Sequence, residues 1–211
     1  MSIKRIGETS YKETAFGIIG RSKLIPLEIE GIKRAWDFVL QNRKTGSIPL
    51  TPEFIKKLHS IGFKWIFPKT SGKFRTIEVV VSAHIPPKHY LVPELMLNFC
   101  EDLKTRIKRM PKIEEEEFNY TLINLLAWAQ HKFLWIHPFQ DYNGRIGRLL
   151  TNIVLLNLDL PPIELKVETS ASRKEYVLSL QEADKGNLAR LEKIIQKALD
   201  ETLRKISPQA S

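Results

Sequence analysis

His137-Pro138-Phe139-Gln140-Asp141-Tyr142-Asn143-Gly144-Arg145-Ile146-Gly147-Arg148 stands between two long apolar runs, and that placement decides the fold class. Upstream, Leu122, Ile123, Leu125, Leu126, Ala127, Trp128, Ala129, Phe133, Leu134 and Ile136 put apolar side chains nearly all round a helix. A helix apolar on every side is a buried one. Downstream, Ile146, Leu149, Leu150, Ile153, Val154, Leu155, Leu156 and Leu158 predict a second buried helix, closed by Pro161-Pro162. The polar residues of the loop therefore form a site set into a helical core. His137 is a base whose ordinary pKa lies near neutrality. Asp141 is a hard oxygen ligand of the kind Mg²⁺ accepts. Asn143-Gly144 and the helix start behind it offer backbone N–H groups to an anion. Arg145 and Arg148, three apart, share a helix face, and their guanidinium forks suit phosphate oxygens. These are the parts for chemistry on a nucleoside polyphosphate. Read without that chemistry, the stretch is a buried His before a Pro-led loop, with surface Arg in the next helix.

The stretch resembles the signature of the Fic family, H-P-F-x-(D/E)-G-N-G-R-x-x-R, at eleven of its twelve positions. The departure is Tyr142, where the family has Gly. The resemblance covers roughly residues 26–190. It implies an all-α, mainly helical fold with a small β-hairpin flap, and the transfer of AMP from Mg²⁺-bound ATP to a Ser, Thr or Tyr hydroxyl of a target protein. Mapped onto this chain, His137 takes the hydroxyl proton and Asp141 holds Mg²⁺. Asn143 and Gly144 hold the α- and β-phosphates, with Tyr142 beside them, and Arg145 and Arg148 hold the outer phosphates. Tyr176, in a helix expected over residues 172–185, stands where the family often has a Tyr near the nucleotide base, though a core Tyr fits as well. If the family Gly serves a left-handed backbone, Tyr142 costs about 1–2 kcal/mol. If it serves close approach of phosphate, Tyr142 narrows the nest, changes the donor, or points away and leaves the backbone N–H groups in place.

Two further stretches carry the resemblance. Glu30-Gly31 fits the end of the family's inhibitory motif, (S/T)-x-x-x-E-(G/N), with Pro26 in place of Ser or Thr. Its Glu competes with phosphate for the last signature Arg and in some relatives also serves AMP removal; a plain helix-end Glu is the alternative. Residues 73–81 are β-branched and read as a strand. Within about 72–82, Lys73, Phe74 and Arg75 resemble the family flap G-x-(F/Y)-R, which docks the target as an added strand. His84-Ile85-Pro86-Pro87 and a helix from Pro93 continue the likeness.

Elsewhere, residues 1–25 read as a weakly patterned arm, and Pro26 opens a short turn before a helix over 32–42. Thr51-Pro52-Glu53 is a helix start, with Thr as N-cap and Pro in the first turn. Glu114 to Glu117 suit the start of the next helix. His131, six residues from His137, reads as a core His. A last amphipathic helix, capped by Asn187 and running within 187–211, packs on the domain or meets a second protomer.

The 211 residues allow one core of ordinary size, and 43% hydrophobic with 27% charged residues is globular composition. The net charge of +9 suits nucleotides and acidic partners, but no helix-turn-helix segment accompanies it, so nucleic acid is not the expected partner. A single Cys excludes an internal disulfide. No leader and no membrane-length apolar run appear, giving a cytoplasmic expectation. A non-catalytic nucleotide- or nucleic-acid-binding regulator, and a transferase using another donor, remain the alternative functions.

Overall fold

The computed structural model describes residues 11–81, 84–167 and 169–207. Strands β1 (Tyr11–Thr14) and β2 (Gly17–Gly20) form an antiparallel hairpin with Thr14 opposite Gly17. Seven helices follow among the described residues: α1 (Arg21–Lys44), α2 (Pro52–Phe63), α3 (Val92–Lys108), α4 (Phe118–Ile136), α5 (Asn143–Asn157), α6 (Ser170–Ala183) and α7 (Ala189–Ile206).

The two helices flanking the signature form the centre. On α4, Leu122, Leu125, Leu126, Ala129, Phe133 and Ile136 are buried; on α5, Ile146, Leu149, Leu150, Ile153, Val154 and Leu155 are. The two pack together, with α3 and α7 against α4, and α1 against α2 and α5. Gly147 lets α5 close on α4, since a Cβ there would stand 3.2–3.4 Å from Gln130 and Phe133. The α1–α2 crossing is tighter. A Cβ on Gly31 would lie 2.1 Å from the Gly62 carbonyl oxygen, so only glycine fits.

The N-cap expected at Thr51 is present: its Oγ accepts from the Phe54 N–H at 3.1 Å. Three expectations need correction. The strand expected over 73–81 is absent; only an isolated bridge joins Val81 to His84, and residues 82–83 lie outside the described residues. Its backbone is committed elsewhere, the Arg75 N–H donating to the Pro138 carbonyl at 2.9 Å. The hairpin lies instead in the supposed arm, where Gly17 at φ +87° takes the turn; residues 1–10 of that arm are outside the described residues. Finally, the short turn at Pro26 and the helix over 32–42 are one continuous helix, α1, with Pro26 inside its second turn. Burial of Leu24, Glu28, Gly31, Ala35 and Val39 along one face holds it together.

Candidate active site

His137 ends α4 in the left-handed region, at φ 49°. Its Nδ1 lies 3.4 Å from the Leu134 carbonyl. A carbonyl only accepts, so Nδ1 carries the hydrogen and Nε2 the lone pair. Burial, with smaller contributions from Arg75 and His84, lowers its pKa to about 4, so it is a neutral base at physiological pH. The helix end is held by Arg75, which is only 4% exposed. Its guanidinium donates to the carbonyls of His137 (2.8 Å), Ile77 (3.1 Å), Ile136 (3.4 Å) and Pro87. A cation thus caps the negative end of the helix that presents the base.

The loop after His137 is braced from beneath. Phe139 is fully buried and stacks on His59 with ring centres 3.9 Å apart. The Asn143 side chain accepts from the Phe139 N–H (2.9 Å) and donates to the Phe139 carbonyl (2.8 Å). His59 Nδ1 accepts from the Gly72 N–H at 3.0 Å, so its Nε2–H donates to the Asp141 carbonyl at 3.1 Å. Burial lowers the His59 pKa to about 4, matching this neutral tautomer.

Tyr142 adopts φ 62° and opens α5. Its ring stacks on Phe63 at 4.1 Å and leans on Phe67, while its hydroxyl donates to Glu28 at 2.9 Å. Burial, then the neighbouring Glu28, raises its pKa, so the hydroxyl stays protonated. Glu28 is 1% exposed and also accepts from Arg21 and Arg145, each at 2.6 Å.

Of these groups, His137, Asp141, Tyr142, Asn143, Glu28, Arg21 and Arg145 line one cavity of about 1000 Å³. Its lining includes Gly144, Arg148 and Lys12 as well. Gly144 lies in the first turn of α5, where the Arg145 N–H donates to the Tyr142 carbonyl at 3.1 Å and the capping residue supplies no side-chain acceptor for the N–H groups before it. Asp141 is exposed; its Oδ1 accepts from the Tyr142 N–H and its Oδ2 pairs with Lys12. Among the described residues no cluster of three or more His, Cys, Asp or Glu could cage a metal. One exposed carboxylate beside a phosphate cradle does fit Mg²⁺, whose remaining ligands come from substrate phosphates and water.

The lining also includes the apolar Leu134, Val167, Tyr176, Val177 and Leu180, together with His84, Arg173, Gln181 and Asp184. Tyr176 is buried, and its hydroxyl meets the Gln130 amide, whose oxygen accepts from Thr151 at 2.7 Å. His131 bonds Asp184 at 2.9 Å on the same wall.

Residues 49–155 match the Fic/DOC family. The chain belongs to that family. Curated relatives named protein adenylyltransferase Fic include those of Nematostella vectensis, 27% identical over 90% of this chain and 42% of theirs, and of Drosophila melanogaster, 29% identical over 92% and 37%. The chain thus spans about two-fifths of the length of these relatives. Among solved structures, Fic-1 from C. elegans is 25% identical with TM-score 0.64, covering 84% of this chain and 49% of that one. A Fic domain protein from Bacteroides thetaiotaomicron gives TM-score 0.67 at 19% identity, over 83% and 69%.

The Fic signature thus brings His137, Asp141, Gly144, Arg145 and Arg148 to one cavity, with Tyr142 and Tyr176 on its wall. Several assigned roles change. The Asn143 side chain bonds both the N–H and the carbonyl of Phe139, which braces the loop, and Asn143 lines the cavity with the residues on either side of it. Of the supposed docking residues, Arg75 is buried under the active-site helix and Phe74 packs towards Phe139, leaving Lys73 exposed. Glu30 points away from the cavity and pairs with Arg34 at 3.0 Å; the carboxylate facing the site is Glu28. His131 has the hydrogen-bond partner expected of it, Asp184, and lies half-buried on the cavity lining rather than in the core. Sequence reading missed His59, Gln130, Glu28, Arg21 and Lys12. Glu28 was the findable one, a charged residue seven after Arg21 on what proves to be a buried helical face.

Proposed function

We propose that this chain is a protein adenylyltransferase, transferring AMP from ATP to a Ser, Thr or Tyr hydroxyl of another protein. The observation that carries the reading is a half-buried, neutral His137, lone pair on Nε2, lining the same cavity as the start of α5 and a metal-competent carboxylate. The target hydroxyl gives its proton to Nε2 as its oxygen bonds the α-phosphorus. The bond from that phosphorus to the bridging oxygen breaks, and pyrophosphate leaves. Arg145 and Arg148 stabilise charge on the outer phosphates, and the first-turn N–H groups of α5 do the same nearer the reacting centre. Mg²⁺ held at Asp141 would neutralise phosphate charge. Arg75 and His59 do no chemistry; they fix the base and the loop.

Restraint by a carboxylate from the first helix belongs to the same reading, with Glu28 as the group in place of Glu30. Glu28 occupies the Arg21 and Arg145 guanidiniums at 2.6 Å, where a phosphate would seek its own partners.

The test is incubation with Mg²⁺ and ATP labelled on the α-phosphate, with cell lysate, followed by intact-mass analysis. Wild type should label proteins by the mass of AMP, and His137→Ala should lose at least about a hundredfold in rate, as removal of a general base does. The acidic limb of kcat/KM should lie near pH 4, where His137 protonates, and not near 6.5. Label transfer that survives His137→Ala would sink the mechanism.

A further inference from the structure

The N-terminal hairpin brings to the site a cation that the signature does not contain. Lys12, on β1, pairs with the carboxylate of Asp141, 129 residues away in sequence. Its ammonium also lies 5.2 Å from the Tyr142 ring centre and 5.8 Å from that of Phe67. The hairpin is anchored where this reach is needed. The Ala15 N–H donates to the Ile66 carbonyl at 2.8 Å, and Phe16 packs edge-on against Trp65 at 5.9 Å. Lys12 faces the same cavity as Arg21, Arg145 and Arg148.

We propose that Lys12 is a nucleotide-binding residue, holding Asp141 while the site is empty and passing to the nucleotide's terminal phosphates when a divalent ion takes that carboxylate. This rests on the nucleotide-transfer reading above.

Three physical points support it. The pair is exposed, 39% at Lys12 and 51% at Asp141, so solvent screens it and it exchanges readily. A divalent ion brings twice the charge to the same oxygen, so the ammonium is the partner that gives way. The displaced ammonium has a flexible stem resting on Tyr142 and Phe67, and phosphates arriving beside Arg145 and Arg148 are the anions within its sweep. Charge balance points the same way. Among the described lining residues, Lys12, Arg21, Arg145, Arg148 and Arg173 against Glu28, Asp141 and Asp184 leave two positive charges in excess, opposite in sign and equal in size to a magnesium-bound nucleoside triphosphate. Without Lys12 that match is lost.

The experiment measures binding rather than turnover. A fluorescent ATP analogue with Mg²⁺ is titrated into wild type, Lys12→Met and Lys12→Arg, and Mn²⁺ binding without nucleotide is followed by electron paramagnetic resonance. Lys12→Met should weaken nucleotide binding by roughly tenfold, the scale of one charge-assisted contact, with Lys12→Arg in between. The same Met variant should bind Mn²⁺ several-fold more tightly, because Asp141 no longer has a resident cation. Nucleotide affinity at or above the wild-type level in Lys12→Met overturns the proposal, as does unchanged Mn²⁺ binding. Failure of wild type itself to bind the analogue overturns the nucleotide reading beneath it, an outcome visible before any variant is compared.

Discussion

At the scale of single residues, two imidazoles set how this protein answers pH. Burial lowers both His59 and His137 from 6.5 to about 4. Between those values the unfolded chain binds protons that the folded chain refuses, so stability falls as pH drops from about 6.5 to 4 and is flat in these two groups above that window. Each accounts for up to about 3 kcal/mol across it. His59→Gln keeps a donor for the Asp141 carbonyl and an acceptor for the Gly72 N–H but cannot titrate. Urea midpoints from pH 8 to 4 should therefore decline less steeply in this variant, by up to one proton. Parallel curves for the two proteins would show that His59 is not held neutral. The two residues also differ in how visible they were. His137 stood inside a recognisable motif. His59 looked like one polar position on an amphipathic helix, because its partner loop lies 82 residues away and only folding brings them together.

At the scale of elements, the apolar periodicity of α4 and α5 was legible because burial on every side leaves no other reading. The segment 73–81 was misread for the opposite reason. Its β-branched run satisfies strand propensity, yet what fixes it is the buried Arg75 under the end of α4, a tertiary interaction with no local signature. Gly31 makes the same point. In sequence it looked like the second residue of a regulatory motif; in the fold it is the crossing point of α1 and α2. Gly31→Ala puts a methyl 2.1 Å from a backbone oxygen that no side-chain rotation can relieve. The helices must separate, at about 1–3 kcal/mol, which for a chain of this size lowers Tm by roughly 2–12 °C. Calorimetry showing a wild-type Tm for Gly31→Ala would mean that the crossing is looser than described.

At the scale of the whole molecule, one buried carboxylate ties together two of the helices that line the cavity. Glu28, on α1, joins Arg21 to Arg145 and to the hydroxyl of Tyr142, so one carboxylate links the first helix to the signature helix and to the residue that departs from the Fic pattern. Tyr142 sits in a left-handed conformation costing about 1–2 kcal/mol, and its stack on Phe63 with its bond to Glu28 offsets that cost. The arrangement stabilises the fold with guanidiniums that the proposed function assigns to phosphate. Glu28→Gln should consequently act in opposite directions on two measurements. Without ligand it should lower stability by about 1–3 kcal/mol, since two guanidiniums lose a charged acceptor in a half-buried setting. With Mg²⁺ and ATP it should bind more tightly and label targets faster, because Arg21 and Arg145 are released to phosphate. Glu30→Gln, altering only an exposed pair with Arg34, should change neither. Thermal shifts with and without nucleotide, read beside α-phosphate labelling, separate the cases. A Glu28→Gln protein that is less stable yet binds nucleotide no better would make Glu28 a structural tie alone, and the restraint on transfer would have to come from elsewhere in the chain.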